Sequence, residues 1–149
     1  IGGLGKRDIT GDVSYSPQDH EHMVHVRAEK VRRLADVIPV QEVGGNPDGD
    51  LLVVGWGSTY GAIRSAVEHA RERGKSVSHA HIRYINPFPR NLGEVLTRFK
   101  KVLVPEMNRG HLARLLRSEF LLDPIKLSKV QGRPFPTSEI QTRIEDLLD

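Results

Sequence analysis

"LLVVGWGSTYGAI", residues 51–63, changes character three times in a short span. Leu51 to Val54 form a continuous apolar run of the kind that a strand buried on both faces requires. Gly55 and Gly57 then bracket Trp56. Beyond them Ile63, Ala66, Val67 and Ala70 fall at i, i+3, i+4 and i+7, the spacing of one buried helix face. Gly74 supplies the stop. Strand, glycine turn and helix together make half of a parallel βαβ unit, so the test of the fold is whether the pattern repeats.

It repeats downstream. A strand is predicted over Val77–Tyr84, followed by the rigid "NPFP" turn. Asn91 and Glu94 have capping-pair spacing for a helix burying Leu92, Val95, Leu96 and Phe99. A strand at Val102–Val104 leads through "PEMNRG" to a helix with Leu112, Leu115, Leu116 and Phe120. A fourth strand, Ile125–Val130, precedes a last helix with Ile140, Ile144, Leu147 and Leu148, for which Ser138 and Gln141 read as a capping box. Four alternations predict an α/β fold, a mostly parallel sheet with helices on both faces. We assign it to residues 50–149.

Residues 1–49 read differently. The segment to Tyr15 is glycine-rich and polar, a linker or wrapped arm. Ser16 as N-cap and Pro17 as first helical residue, with Asp19 in the first turn, predict a helix to about Asp36. Its stripe of Met23, Val31 and Leu34 is thin, which suits a surface helix. Val40–Val43 is a possible short edge strand in the connector that follows. The opening "IGGLGKRDITGD" lacks an initiator methionine and reads like the middle of a longer polypeptide.

Composition narrows the function classes. Twenty-two basic and 19 acidic residues are mixed along the chain, for a net charge of +3. No basic stripe with interleaved aromatics points to nucleic acid. There is no cysteine, so disulfides, thiolate metal sites, cluster ligation and cysteine catalysis are excluded from these residues, and a cytoplasmic location is compatible. No apolar stretch reaches the length of a membrane span.

The candidate sites follow from the fold. In a parallel sheet the loops at the carboxyl ends of the strands gather on one edge, where ligands usually bind. Gly55, Gly57, Ser58 and Thr59 lie in one such loop, close to a dinucleotide fingerprint but spaced GxGxxxG. Trp56 puts a bulky side chain in the turn, and the second strand ends in "RYIN" without the acidic residue that a ribose needs. The structural reading is a tight turn with Ser58 or Thr59 capping the helix. Glu106 and Asn108 follow the third strand; Glu106 near His111 could support acid–base chemistry, while the alternative is that the pair caps the next helix or meets a partner. Arg83 and Tyr84 are an anion contact or a packed strand end. His22, His25 and Glu29 share a helix face but lack the His-Glu-x-x-His order of a zinc helix. His79 and His81, two apart on a strand, share a sheet face. No complete catalytic or metal site assembles, and a Rossmann-like nucleotide- or anion-binding module stays open as the alternative.

Four motifs in order, "LLVVGWGSTYGAI", "HIRYINPFPRNLGEVL", "KVLVPEMNRGHLARLLRSEFL" and "VQGRPFPTSEI", resemble the carboxyl-terminal part of the alpha subunit of 2-oxoacid:ferredoxin oxidoreductases, particularly the 2-oxoglutarate type. "TGDVSYSPQDHEHMVHVRAEKV" is similar to the segment that precedes it. The resemblance implies a three-layer sandwich similar to the transketolase carboxyl-terminal domain, with one strand antiparallel, for which Val40–Val43 is available. It implies a holoenzyme that decarboxylates a 2-oxoacid on thiamine diphosphate and magnesium, forms acyl-coenzyme A, and passes electrons through iron–sulfur clusters to ferredoxin. Those cofactors would be held by other domains and by the beta subunit, leaving this segment a structural one joined to the remainder of the alpha subunit. His111 departs from the glutamine that the family pattern implies in "EMNRGHL".

Overall fold

A computed structural model describes residues 4–149. The chain forms two compact units, Ile1–Pro39 with Tyr84–Pro89, and Val40–Arg83 with Arg90–Asp149.

In the first unit the glycine-rich arm is a hairpin of two very short strands, β1 (Gly5–Lys6) and β2 (Val13–Ser14). They are antiparallel, with Gly5 opposite Ser14 and Lys6 opposite Val13. The first three residues of the expected arm lie outside the described ones. Helix α1 (Pro17–Arg32) begins where the capping chemistry places it. The Asp19 amide donates to Ser16 Oγ at 3.3 Å, and a 3-10 turn, Arg33–Asp36, completes the segment. Asp19 also accepts from the Ser14 hydroxyl at 2.6 Å and pairs with Arg7 at 3.6 Å, which ties the hairpin to the helix. No residue of α1 is buried, as the thin apolar stripe implied.

The second unit is the α/β domain. Its elements run β3 (Gly49–Trp56), α2 (Tyr60–Glu72), β4 (Val77–Ile82), α3 (Leu92–Thr97), β5 (Phe99–Glu106), α4 (His111–Phe120), β6 (Ile125–Ser128) and α5 (Thr137–Leu148). The strands lie in the order β4-β3-β5-β6 and every pair is parallel. Leu51, Val53 and Leu103 pack with Ile63, Ala66, Val67 and Ala70 of α2 and with Ile140 and Ile144 of α5. Because side chains alternate along a strand, Leu52, Val54, Val102 and Val104, all buried, face the other way. The buried residues of α3 and α4 stand outside the first cluster, and both helices pack on β5. Three layers result.

Several boundaries move for physical reasons. Strand β5 is longer than expected and takes in Phe99, whose burial comes from the sheet rather than from α3. It also passes through Pro105. The pairing with β3 runs from Gly49–Phe99 to Val53–Leu103, so the missing N–H of Pro105 breaks no bond there. Strands β4 and β6 stop at Ile82 and Ser128, short of Tyr84 and Val130. On α4, Leu112, Ala113 and Leu116 are buried, whereas Leu115 is 46% exposed.

Two expected caps and the edge strand are replaced. Asn91 stands at the start of α3, but its side chain does not cap it. Instead Oδ1 accepts from the Gln41 amide at 2.7 Å and Nδ2 donates to the Gln41 carbonyl at 2.9 Å. With Gln41's backbone satisfied by a side chain, residues 40–43 form no strand. The only antiparallel pairing with the sheet among the described residues is a single bridge, Gly44 to His79, bonded at 2.8 and 3.0 Å. Helix α5 starts at Thr137, directly after Pro136, so Ser138 falls inside its first turn and cannot be the N-cap.

The turn after β3 depends on two glycines for different reasons. A Cβ at Gly55 would stand 2.3 Å from Ile63 Cδ1 and 2.8 Å from Thr59 Oγ1, whereas Gly57 has open space but φ of +59°. We expect Gly55→Ala to cost about 1–3 kcal/mol through overpacking. Gly57→Val should cost about 1–2 kcal/mol through the left-handed backbone alone. Urea unfolding checks both, and wild-type midpoints would remove the steric account of the turn.

Candidate functional site

The strand order puts β4 on one side of β3 and β5 on the other. The chain leaves β3 toward β4 and leaves β5 toward β6, so the connections diverge between β3 and β5. In open α/β sheets the crevice beyond the carboxyl ends of such strands is the usual ligand site. Carrying the β3–β5 register forward sets Trp56 opposite Glu106, both at the ends of their strands.

These two residues meet. Trp56 Nε1 donates to Glu106 Oε1 at 3.2 Å. Glu106 is fully buried, and the same Oε1 accepts from Asn108 Nδ2 at 3.2 Å and from the Leu112 amide at 2.7 Å. Oε2 accepts from the Ala113 amide at 3.1 Å. Leu112 and Ala113 lie in the first turn of α4, where helix amides lack internal partners and the helix dipole favours negative charge. Asn108 completes the arrangement: its Oδ1 accepts from the amides of Gly110, at 2.8 Å, and His111, at 2.9 Å. Four free amides of the loop and helix start are thereby satisfied by two side chains.

The contacts of this cluster tie two strand ends to a helix start. Four N–H donors converge on this carboxylate, three of them on Oε1 and one on Oε2. The acid–base pairing considered for Glu106 and His111 does not form, since only the His111 backbone enters the network, through Asn108. Of the two readings of "PEMNRG", the capping one describes the geometry.

The glycine turn joins the same network. Ser58 Oγ lies 3.7 Å from Met107 Sδ. Thr59 does not cap α2 as expected; its hydroxyl points back and donates to the Trp56 carbonyl at 2.9 Å. Trp56 was the residue whose bulk counted against a nucleotide, but its indole as the partner of Glu106, fifty positions away, carried no local signal. Arg83 and Tyr84 follow β4 as exposed residues, and no hydrogen bond joins Arg83 to the Glu106 cluster among the described residues. His22 pairs with Asp8 at 2.8 Å, and Glu29 takes two bonds from Arg32 at 2.6 Å, so the histidine helix commits those groups to neighbours. Among the described residues no group of three or more His, Asp or Glu is placed to hold a metal.

His79 and His81 share a sheet face as expected. The Tyr60 ring stands edge-on to both, at 5.0 Å from His81 and 6.1 Å from His79. Burial pushes both imidazoles below the ordinary histidine range, with the arginines nearby reinforcing it, Arg83 for His81 and Arg64 and Arg71 for His79; Glu68 opposes it at His79. His81 Nδ1 is buried without a partner.

With this geometry in place, the relatives can be compared. The family described as pyruvate:ferredoxin oxidoreductase core domain II matches residues 49–122. A split-gene transketolase, 16% identical, shares the fold with a TM-score of 0.53 over 68% of this chain and 39% of that one. The chain thus has a transketolase-like α/β domain. It belongs to the alpha-subunit family of 2-oxoacid:ferredoxin oxidoreductases. Subunit KorA of the 2-oxoglutarate oxidoreductase of Mycobacterium tuberculosis is 49% identical over 94% of this chain. The 2-oxoglutarate:ferredoxin oxidoreductase of Magnetococcus marinus, solved with 2-oxoglutarate, coenzyme A and succinyl-CoA bound, superimposes with a TM-score of 0.89. It is 31% identical over 99% of this chain. This chain spans 21% of the first relative and 26% of the second.

Two outcomes follow from the site. Glu106→Ala leaves two helix amides, an indole N–H and an asparagine amide without their acceptor, and should cost about 2–4 kcal/mol by urea unfolding. Glu106→Gln should cost less because one oxygen survives. Because His79 and His81 titrate below the unfolded value, the unfolded chain takes up protons first. Stability is therefore fully present above about pH 6.5 and is lost as pH falls through that value toward the lowered folded pKa. Melting from pH 8 to pH 5 in wild type and His81→Gln checks this, and equal slopes would contradict it.

Proposed function

We infer that this chain is a structural and assembly domain in the carboxyl-terminal part of the alpha subunit of a 2-oxoacid:ferredoxin oxidoreductase. The 2-oxoacid is 2-oxoglutarate, a reading supported by the 49% identical relative of that type. The holoenzyme oxidatively decarboxylates the 2-oxoacid to its acyl-coenzyme A and passes electrons to ferredoxin in the cytoplasm. The remainder of the alpha subunit and the beta subunit are the immediate partners.

The observation that carries the assembly role is the Trp56–Glu106 contact. It joins two strand ends at the crevice where a doubly wound sheet usually binds its ligand, using groups that a ligand would otherwise engage. The holoenzyme cofactors do not fit the residues present. Iron–sulfur clusters need thiolates, and the chain has no cysteine. Thiamine diphosphate needs a magnesium ion with oxygen ligands, and the buried carboxylate best placed for one, Glu106, is already held by four nitrogen donors, three of them on Oε1. No step of the reaction is therefore routed through these residues. Their contribution is a surface at which exposed Arg83 and the loop that carries Asn108 meet neighbouring subunits, with Gly55, Gly57, Ser58 and Thr59 shaping the turn after β3, while Tyr84 is a contact candidate of the first unit.

Reconstitution tests this. The purified chain is mixed with 2-oxoglutarate, coenzyme A, thiamine diphosphate, magnesium and an artificial electron acceptor, with and without the rest of the alpha subunit and the beta subunit. Turnover only in the complete mixture is the expected result. Turnover by the chain alone, or a rise in Tm of several degrees with a nicotinamide nucleotide, would favour a self-sufficient nucleotide-binding module instead.

A further inference from the structure

The histidine-rich start of α1 carries a second feature, separate from the metal reading. His20, Met23 and Arg27 stand at i, i+3 and i+7, which puts them on one face of the helix. Lys6 reaches the same place from β1. Together with Leu4 and Gly5 they line a cleft of about 270 Å³. Two permanent cations and an imidazole thus share one small concavity.

Three carboxylates of this unit are engaged elsewhere. Asp19 accepts from Ser14 and pairs with Arg7; Asp8 holds His22; Glu29 is bound twice by Arg32. Among the described residues Lys6, His20 and Arg27 have no carboxylate partner. Gathering like charges is unfavourable unless an anion sits between them, and a concave wall concentrates their field. The same polar ties, Ser14 and Arg7 to Asp19 and Asp8 to His22, hold hairpin and helix together, so the walls are set before a ligand arrives.

We propose that this cleft binds the phosphate of a small soluble phosphate ester or anhydride. Lys6 and Arg27 neutralise the oxyanion, His20 donates a further hydrogen bond, and Leu4 and Met23 contact an adjoining apolar part. A multiply charged tetrahedral anion suits donors that approach from two elements, whereas a carboxylate would leave one of the cations unmatched. The proposal is independent of the assembly role, because none of its residues belongs to the Glu106 network.

The test is calorimetric titration of the full chain with inorganic pyrophosphate at constant ionic strength. Saturable binding is expected, weakened at least about tenfold in the Lys6→Gln, Arg27→Gln double variant and unchanged in Lys30→Gln. In parallel, NMR should show pyrophosphate shifting the Gly5 amide and the Met23 methyl, a readout on the wild type that does not depend on any variant folding. Absence of saturable heat up to about 20 mM, equal affinity in the double variant, or shifts confined to other residues would overturn it. So would binding to phosphatidylglycerol vesicles without binding to pyrophosphate, which would make the anion a lipid headgroup.

Discussion

The carboxylate of Glu106 fastens together three pieces of the domain that the sheet alone leaves independent. Burying a charge is expensive unless each lone pair finds a donor. Here the donors come from the end of β3, the loop after β5 and the first turn of α4. Without the carboxylate the Leu112 and Ala113 amides would be buried orphans and the part-buried Trp56 and Asn108 donors would lose their acceptor, so cost and compensation are mutual. The strand ends, the loop and the helix start consequently act as one rigid body.

Much of this fold was legible in advance. The four strands and their helices follow from apolar runs and 3.6-residue stripes, because burial of β3 and of one face of α2 demands those patterns wherever the chain goes next. Ser16 and Asp19 marked the start of α1 because that cap is closed within three residues. What could not be read has a common cause: a short polar side chain chooses among partners that local spacing does not rank. Asn91 had capping position and binds Gln41, fifty residues upstream. Thr59 had capping position and turns back to Trp56. The pairing of Trp56 with Glu106 needed the register of two strands, and register is a tertiary quantity.

The two units are held together internally by different forces. The α/β domain rests on aliphatic contacts, and its ion pairs lie at the surface, where each contributes little. The hairpin and α1 have hardly any buried side chain, Ser14 being the exception among the strands and helix, and rely on Asp8 and Asp19 as hubs. Added salt screens exposed charge but leaves apolar burial intact, so cohesion in the first unit is the more sensitive to ionic strength.

The single bridge between Gly44 and His79 has a consequence for the solubility of the sheet. An outer strand with free amides and carbonyls is a template on which another molecule's strand can grow. On β4 that edge is occupied: His79 exchanges both backbone bonds with Gly44, the His81 carbonyl accepts from Gln41 Nε2 at 3.3 Å, and Ser78 Oγ donates to the Asn46 carbonyl at 2.9 Å. At the opposite margin β6 is only four residues long and carries an exposed lysine, Lys126. A connector too irregular to be a strand and a strand too short to recruit one thus keep a fully parallel sheet from polymerising through its margins.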